Sequence, residues 1–215
     1  MKKNLSLCAI ISTFLFLAFL DPTLMLSQTV DSWEEDSNKR QPPQEVMDVI
    51  GVKPGMVIGE VGAGRGRYTV HLAMRVGGEG KIYANDINEK SLSYLNERCK
   101  RDGIKNVETI LGKVDDPLLP KEALDMVIMV WVYHHLEKPI ELLKNLIPSL
   151  KAGATVVIID PAPDRGGERD SHRPSTKTSV EKEAEKAGFE LVRTETFLPK
   201  DNIFIMRVKN PLPNI

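Results

Sequence analysis

A chain of 215 residues in which 29 Lys and Arg face 30 Asp and Glu carries a formal charge of -1. That balance offers no basic field to a polyanion, so nucleic acid is not an expected partner, and 41% hydrophobic with 27% charged residues fits one soluble domain with an appendage rather than two full domains. The two cysteines, Cys8 and Cys99, allow neither a disulfide framework nor a C-x-x-C site, and no metal centre is expected.

Lys2 and Lys3 precede an uncharged apolar run from Leu5 to Leu20, which Asp21-Pro22 and the acidic stretch Asp31 to Asp36 follow. Residues 1–27 therefore read as a signal peptide or signal anchor, with a buried N-terminal core helix as the other reading. The leader implies an exported chain in the periplasm or on the secretory route, tied to the membrane if uncleaved, or else one held at the cytoplasmic face. Residues 28–43 are polar and read as a linker, residues 44–209 as the domain, and residues 210–215 as a tail.

Within the domain, Val46, Val49 and Ile50 share one face of a short helix stopped by Gly51. Strand and helix patterns then alternate. Strands are expected at Met56 to Val61, Lys81 to Asn85, Val107 to Leu111, Met126 to Val132 and Thr155 to Ile159. Helices fall at about Arg67 to Arg75, from the Asn88 cap to Gly103, from Pro139 with Ile140, Leu143 and Leu146 inward, and from a Thr178-x-x-Glu181 capping box to Gly188. Two β patterns close the chain, Glu190 to Phe197 and Ile203 to Val208. Continuous apolar strands alternating with helices argue for a parallel sheet covered on both faces, and two closing strands without a helix between them argue for an antiparallel addition.

The first strand runs as Met56-Val57-Ile58-Gly59-Glu60-Val61 directly into Gly62-Ala63-Gly64-Arg65-Gly66-Arg67-Tyr68. Alternate glycines let the chain turn sharply and meet a ligand without a Cβ in the way, at the carboxyl end of a parallel strand where such folds bind. A dinucleotide fingerprint would require its third glycine where Arg67 stands, which weakens a nucleotide-dependent oxidoreductase. Asp86 ends the second strand about 20 residues later, where a carboxylate can accept both hydroxyls of a ribose. Past the fourth strand comes Tyr133-His134-His135-Leu136, and past the fifth the polar loop Asp160 to Pro174, which contains Asp164, Arg165, Arg169, His172 and Arg173 and reads as a substrate lid or a solvated linker.

The E-x-G-x-G-x-G loop, the carboxylate of Asp86, the H-H-L turn and Leu150-Lys151-Ala152-Gly153-Ala154 together resemble the class I S-adenosylmethionine-dependent methyltransferases, in particular small-molecule enzymes similar to the quinone-biosynthesis C-methyltransferases. The resemblance implies a Rossmann-like α/β fold, a seven-stranded mostly parallel sheet with strand 7 antiparallel, and helices on both faces. It implies S-adenosylmethionine as cofactor and a small-molecule acceptor. The residues carried over to the cofactor are Glu60, Gly62, Ala63, Gly64, Gly66, Tyr68, Asp86, Ile87, Val114 and Asp115. Asp115 would take the adenine amine, or would only shape its turn with Asp116. His134, Asp160 and His172 are the candidate bases or acceptor contacts, with a helix start as the bland reading of the adjacent histidines. An exported, non-catalytic binding or scaffold protein that keeps the fold is the remaining alternative.

Overall fold

The structure, a computed structural model, describes residues 32–167 and 173–209. The chain divides into two compact units, residues 1–35 and 36–215. The expected leader and tail lie outside the described residues, and so does His172. Among the described residues, no helix is long and apolar enough to cross a membrane.

Seven strands, β1 (Val57–Val61), β2 (Lys81–Asp86), β3 (Val107–Leu111), β4 (Leu124–Val130), β5 (Leu150–Pro161), β6 (Phe189–Glu195) and β7 (Asp201–Val208), form one sheet in the order β3-β2-β1-β4-β5-β7-β6. The first five pair in parallel, and β7 runs antiparallel to both β5 and β6. The helices are α1 (residues 32–40), α2 (Pro43–Ile50), α3 (Thr69–Val76), α4 (Glu89–Arg101), α5 (Pro139–Leu146) and α6 (Lys177–Ala187). This is the mixed, Rossmann-like sheet that the sequence implied.

The period of two along a strand sorts each apolar run onto two faces. On one face Met126, Ile128, Val157, Ile159, Ile203 and Ile205 pack with Val46, Met47 and Ile50 of α2 and with Leu72, Ala73 and Val76 of α3. On the other, Val127, Met129, Val156, Ile158, Phe204 and Met206 pack with Leu142, Leu143 and Leu146 of α5 and with Val180 and Ala184 of α6. Both faces are covered, which is why these strands read as unbroken apolar runs. Each buried Ile or Leu contributes about 1.5–3 kcal/mol through burial. The order reverses at β1, whose neighbours are β2 on one side and β4 on the other, so the carboxyl ends of β1 and β4 open a crevice at the switch in topology.

Four local expectations are corrected. The residues read as a linker include helix α1, and Ser37 and Gln41 are buried. Strand β4 stops at Val130, because Trp131 takes the left-handed backbone (φ +56) and its N–H turns to the Ile159 carbonyl at 2.8 Å. Strand β5 begins at Leu150 rather than Thr155, absorbing the expected turn as a register shift opposite Leu124/Met126 with Gly153 at φ +80. The capping box of α6 is Thr176 with Ser179, each side chain bonding the other's backbone N–H, and not Thr178 with Glu181. The Asn88 cap of α4 is present and accepts from the Ser91 N–H.

Candidate active site

The glycine loop is pinned from below by β2. The N–H groups of Gly62 and Ala63 both donate to the Asn85 carbonyl, at 2.8 and 2.9 Å, and the Gly66 N–H donates to the Ala63 carbonyl at 2.9 Å. Two of the loop's glycines differ in kind. A methyl group placed at Gly62 would sit 2.3 Å from Val132 Cγ2, so this glycine exists to let the turn after β4 close on the loop. At Gly64 (φ +56) a methyl group would meet no protein atom within 4 Å, so the space beside it is left for something other than the protein.

Asp86 stands at the end of β2 with one oxygen accepting from the Gly64 N–H at 2.8 Å and the other from the Asn88 N–H at 2.8 Å. The carboxylate thus holds the loop and faces the space beside Gly64. Ile87 and Val114, large apolar side chains left 61% and 42% exposed, flank that strand end and suit the two faces of a flat ring. The Asp115 carboxylate forms an exposed ion pair with Lys138 Nζ at 2.9 Å, which holds its pKa below the ordinary range. Asn85, which sequence reading passed over, is buried and donates to the Pro117 carbonyl at 2.8 Å, fixing the loop after β3.

Glu60, at the end of β1, is fully buried and accepts from Thr69 Oγ1 at 2.5 Å. Burial pushes its pKa up to about 7, against the pull of the Thr69 hydrogen bond and the Arg67 charge. Tyr68 follows at the start of α3, its phenol also driven well above its usual range by burial.

Across the crevice, the turn Tyr133–His135 follows β4. His134 and Asp160, nominated separately from sequence, are bonded to each other: His134 Nδ1 lies 2.9 Å from Asp160 Oδ1, with both side chains buried. Ser175 Oγ donates to the other Asp160 oxygen at 2.5 Å. Arg173 donates to the Tyr133 carbonyl at 3.0 Å and pairs with Glu183, which also accepts from the Tyr133 hydroxyl at 2.7 Å. The end of the polar loop is thereby fastened to the turn bearing His134. Sequence reading had named Arg173 in that loop but neither Ser175 nor Glu183.

A second group that sequence reading missed surrounds Trp131. Asp201, fully buried at the start of β7, accepts from Arg40 Nε and Nη2 at 2.8 and 2.7 Å and from Trp131 Nε1 at 2.8 Å. The Arg40 and Arg67 guanidinium carbons lie 4.7 and 5.0 Å from the Trp131 ring centre. Arg67 donates onward to Asn38 Oδ1 at 3.1 Å and to Gln41 Oε1 at 2.8 Å. Asn38, Arg40 and Gln41, from the stretch read as a linker, are therefore bonded to the group around Trp131.

The residues present fit the cofactor implied by the sequence. The open space at Gly64, the Asp86 carboxylate beside it and the apolar pair Ile87 and Val114 are what an adenosine requires. Among the described residues no three His, Cys, Asp or Glu side chains gather closely enough to hold a metal ion.

Residues 58–163 match the family model described as a methyltransferase domain. Demethylmenaquinone methyltransferase of Bacillus mycoides (strain KBAB4) is 26% identical over 117 residues, 54% of this chain and 49% of that protein. Protein-L-isoaspartate O-methyltransferase of Pyrococcus horikoshii is 28% identical over 113 residues, 53% of this chain and 48% of that protein. The chain spans about half the length of the curated relatives it matches. The crystal structure of a SAM dependent methyltransferase from Aquifex aeolicus is similar at a TM-score of 0.72 and 28% identity, over 83% of this chain and 97% of that one.

Proposed function

We propose that the chain is a class I S-adenosylmethionine-dependent methyltransferase, as its match to the methyltransferase domain and its likeness to a SAM dependent methyltransferase support, and that it transfers the methyl group of S-adenosylmethionine to a small molecule docked against His134. The cofactor supplies an electrophilic methyl on a sulfonium. What the chain adds is position and a route for a proton. The Gly64 space and Asp86 hold the adenosine end, and contact between Val132 and Gly62 sets the turn after β4 against the glycine loop, two residues from His134.

The observation that carries the reading is the bonded series Ser175, Asp160, His134. Asp160 accepts from Ser175 with one oxygen and from the His134 Nδ1–H with the other, which leaves His134 Nε2 as the lone-pair nitrogen of the ring. An acceptor hydroxyl, amine or acidic carbon set against Nε2 can lose its proton there as the new bond to methyl forms. Neither the scaffold reading nor the oxidoreductase reading draws support from the relatives.

The test is a methyl-labelled donor incubated with the protein and fractionated small-molecule extracts. Label in one low-mass product, lost with His134→Ala while donor affinity stays, is the expected result. Label found only in macromolecules, or none in any fraction with a protein that binds the donor, contradicts it.

For the leader we propose entry into or across a membrane, on the support of Lys2, Lys3 and the apolar run Leu5 to Leu20. Protease protection in intact cells is the measurement, and a full-length chain digested only after the cytoplasm is opened with no membrane fraction present would overturn it.

A further inference from the structure

His134 sits in a turn that does not hold itself. Tyr133–His135 is a single three-residue 3-10 turn, too short for its own hydrogen bonds to fix its orientation. The fixing comes from Arg173, 40 positions along the chain from Tyr133. Arg173 Nη2 donates to the Tyr133 carbonyl at 3.0 Å, beside the Leu136 N–H that reaches the same oxygen at 3.2 Å, and the Arg173 guanidinium carbon lies 4.7 Å from the Tyr133 ring centre. Glu183 of α6 completes the arrangement: it pairs with Arg173 Nη1 and accepts from the hydroxyl of Tyr133, whose side chain is fully buried. The residue immediately before His134 is thus held at its carbonyl, its ring and its hydroxyl.

Two residues after Arg173, Ser175 holds the other half of the pair. It is buried, and its hydroxyl donates to one Asp160 oxygen at 2.5 Å while the other oxygen meets His134 Nδ1 at 2.9 Å. The final torsion of an aspartate is broad, with no steep well of its own, so a donor fixed on one oxygen decides where the other one points. Helix α6 does not call for Ser175, because its N-cap is Thr176, bonded reciprocally with Ser179. Pro174 lies between the two residues and locks its own φ, which keeps the two contacts at a set separation. Resting on the proposed function above, we propose that Arg173 and Ser175 are positioning residues for the base: Arg173 fixes the backbone that carries His134, Ser175 fixes the carboxylate that orients its ring, and the short segment leading into α6 thereby aims Nε2 at the acceptor.

The test reads the ring itself and needs no known acceptor. In the full chain carrying isotope-labelled histidine, the Nδ1 proton of His134, identified by its loss in His134→Asn, reports the bond to Asp160 through its rate of exchange with water. Ser175→Ala and Arg173→Met, the second of which keeps an apolar stem, should each speed that exchange by roughly fivefold or more, and Ser175→Thr, which keeps a hydroxyl, should stay within about twofold of wild type. Calorimetric affinity for S-adenosylmethionine should stay within about twofold in all three variants, as expected of residues that act through His134. Transfer of labelled methyl to small-molecule extract should fall in the first two variants and return with threonine. Unchanged exchange in Ser175→Ala and Arg173→Met, no rescue by threonine, or cofactor affinity lost in step with the ring proton overturns the proposal and leaves the proposed function standing. A wild-type chain that protects the ring proton but transfers no methyl overturns the proposed function, and with it the purpose of the positioning.

Discussion

Replacing Gly64 by alanine should separate the glycine that serves the ligand from those that serve the fold. At Gly64 the added methyl meets nothing within 4 Å, and the only cost to the free protein is the left-handed backbone at φ +56, about 1 kcal/mol for a residue with a Cβ. In a domain of this size that lowers the melting temperature by about 2–4 °C. With S-adenosylmethionine present the same methyl stands between backbone and ligand, and overpacking of this kind costs about 1–3 kcal/mol, roughly a five- to 150-fold loss of affinity. Gly62→Ala should behave in the opposite way. Its methyl would lie 2.3 Å from Val132 Cγ2 at φ +75, so the free protein itself is destabilised and the turn carrying His134 is pushed off the loop. Melting curves of the free proteins, with calorimetric titration of each, give both quantities. The reasoning is refuted if Gly64→Ala binds the cofactor as wild type does, or if it melts as early as Gly62→Ala.

Removing the proposed base, as His134→Ala, should lower turnover by roughly a hundredfold or more with cofactor affinity nearly intact; Asp160→Asn, which perturbs the orientation of the ring, should lower it less, and wild-type rates in both would remove the pair from the chemistry. Glu60 titrates at about 7 in the folded protein against an ordinary 4.5, so its contribution to stability is fully present below pH 4.5 and is lost as pH rises through 7. That gap corresponds to about 3 kcal/mol, and denaturant titrations of Glu60→Gln should show a flatter stability profile than wild type between about pH 5 and pH 8; parallel profiles would contradict the buried, protonated carboxyl. Arg40→Ala leaves Asp201 fully buried with only Trp131 Nε1 of its three side-chain bonds, and urea unfolding should report a loss of about 3 kcal/mol, whereas a loss under about 0.5 kcal/mol would mark the pair as incidental.

What could be read from sequence was what repeats or what carries a local rule. The strands declared themselves because both faces of β4 and β5 are buried, and Asn88 and Gly188 marked helix ends through capping rules that act within a few residues. The glycine loop and Asp86 were legible for the same reason, since the loop's turns and the strand's end fix their relation. The missed side-chain partners are long-range. Arg40 meets Asp201 across 161 positions of chain, and Arg67 meets Gln41 across 26, with no periodicity to announce either. Helix α1 is polar along residues 32–40, so composition favoured a linker where burial of Ser37 and the bonds of Asn38 and Arg40 favour a helix. Asp115 was carried over from a family position, and its exposed pairing with Lys138, 23 positions on, had no local signal. The pairing of His134 with Asp160 needed β4 and β5 to be placed side by side, after which the bond follows from their parallel register.

The central claim is that the space at Gly64, walled by Asp86, holds S-adenosylmethionine. Equilibrium titration of the purified full chain with that compound, run beside a folded Asp86→Ala variant, tests it most directly. One molecule bound per chain is the predicted result for wild type, with affinity at least tenfold weaker in the variant, because charge-assisted hydrogen bonds worth about 2 kcal/mol are lost along with the tether on the Gly64 N–H. Wild-type protein that binds no S-adenosylmethionine, or an Asp86→Ala variant that binds it equally well, would contradict the account.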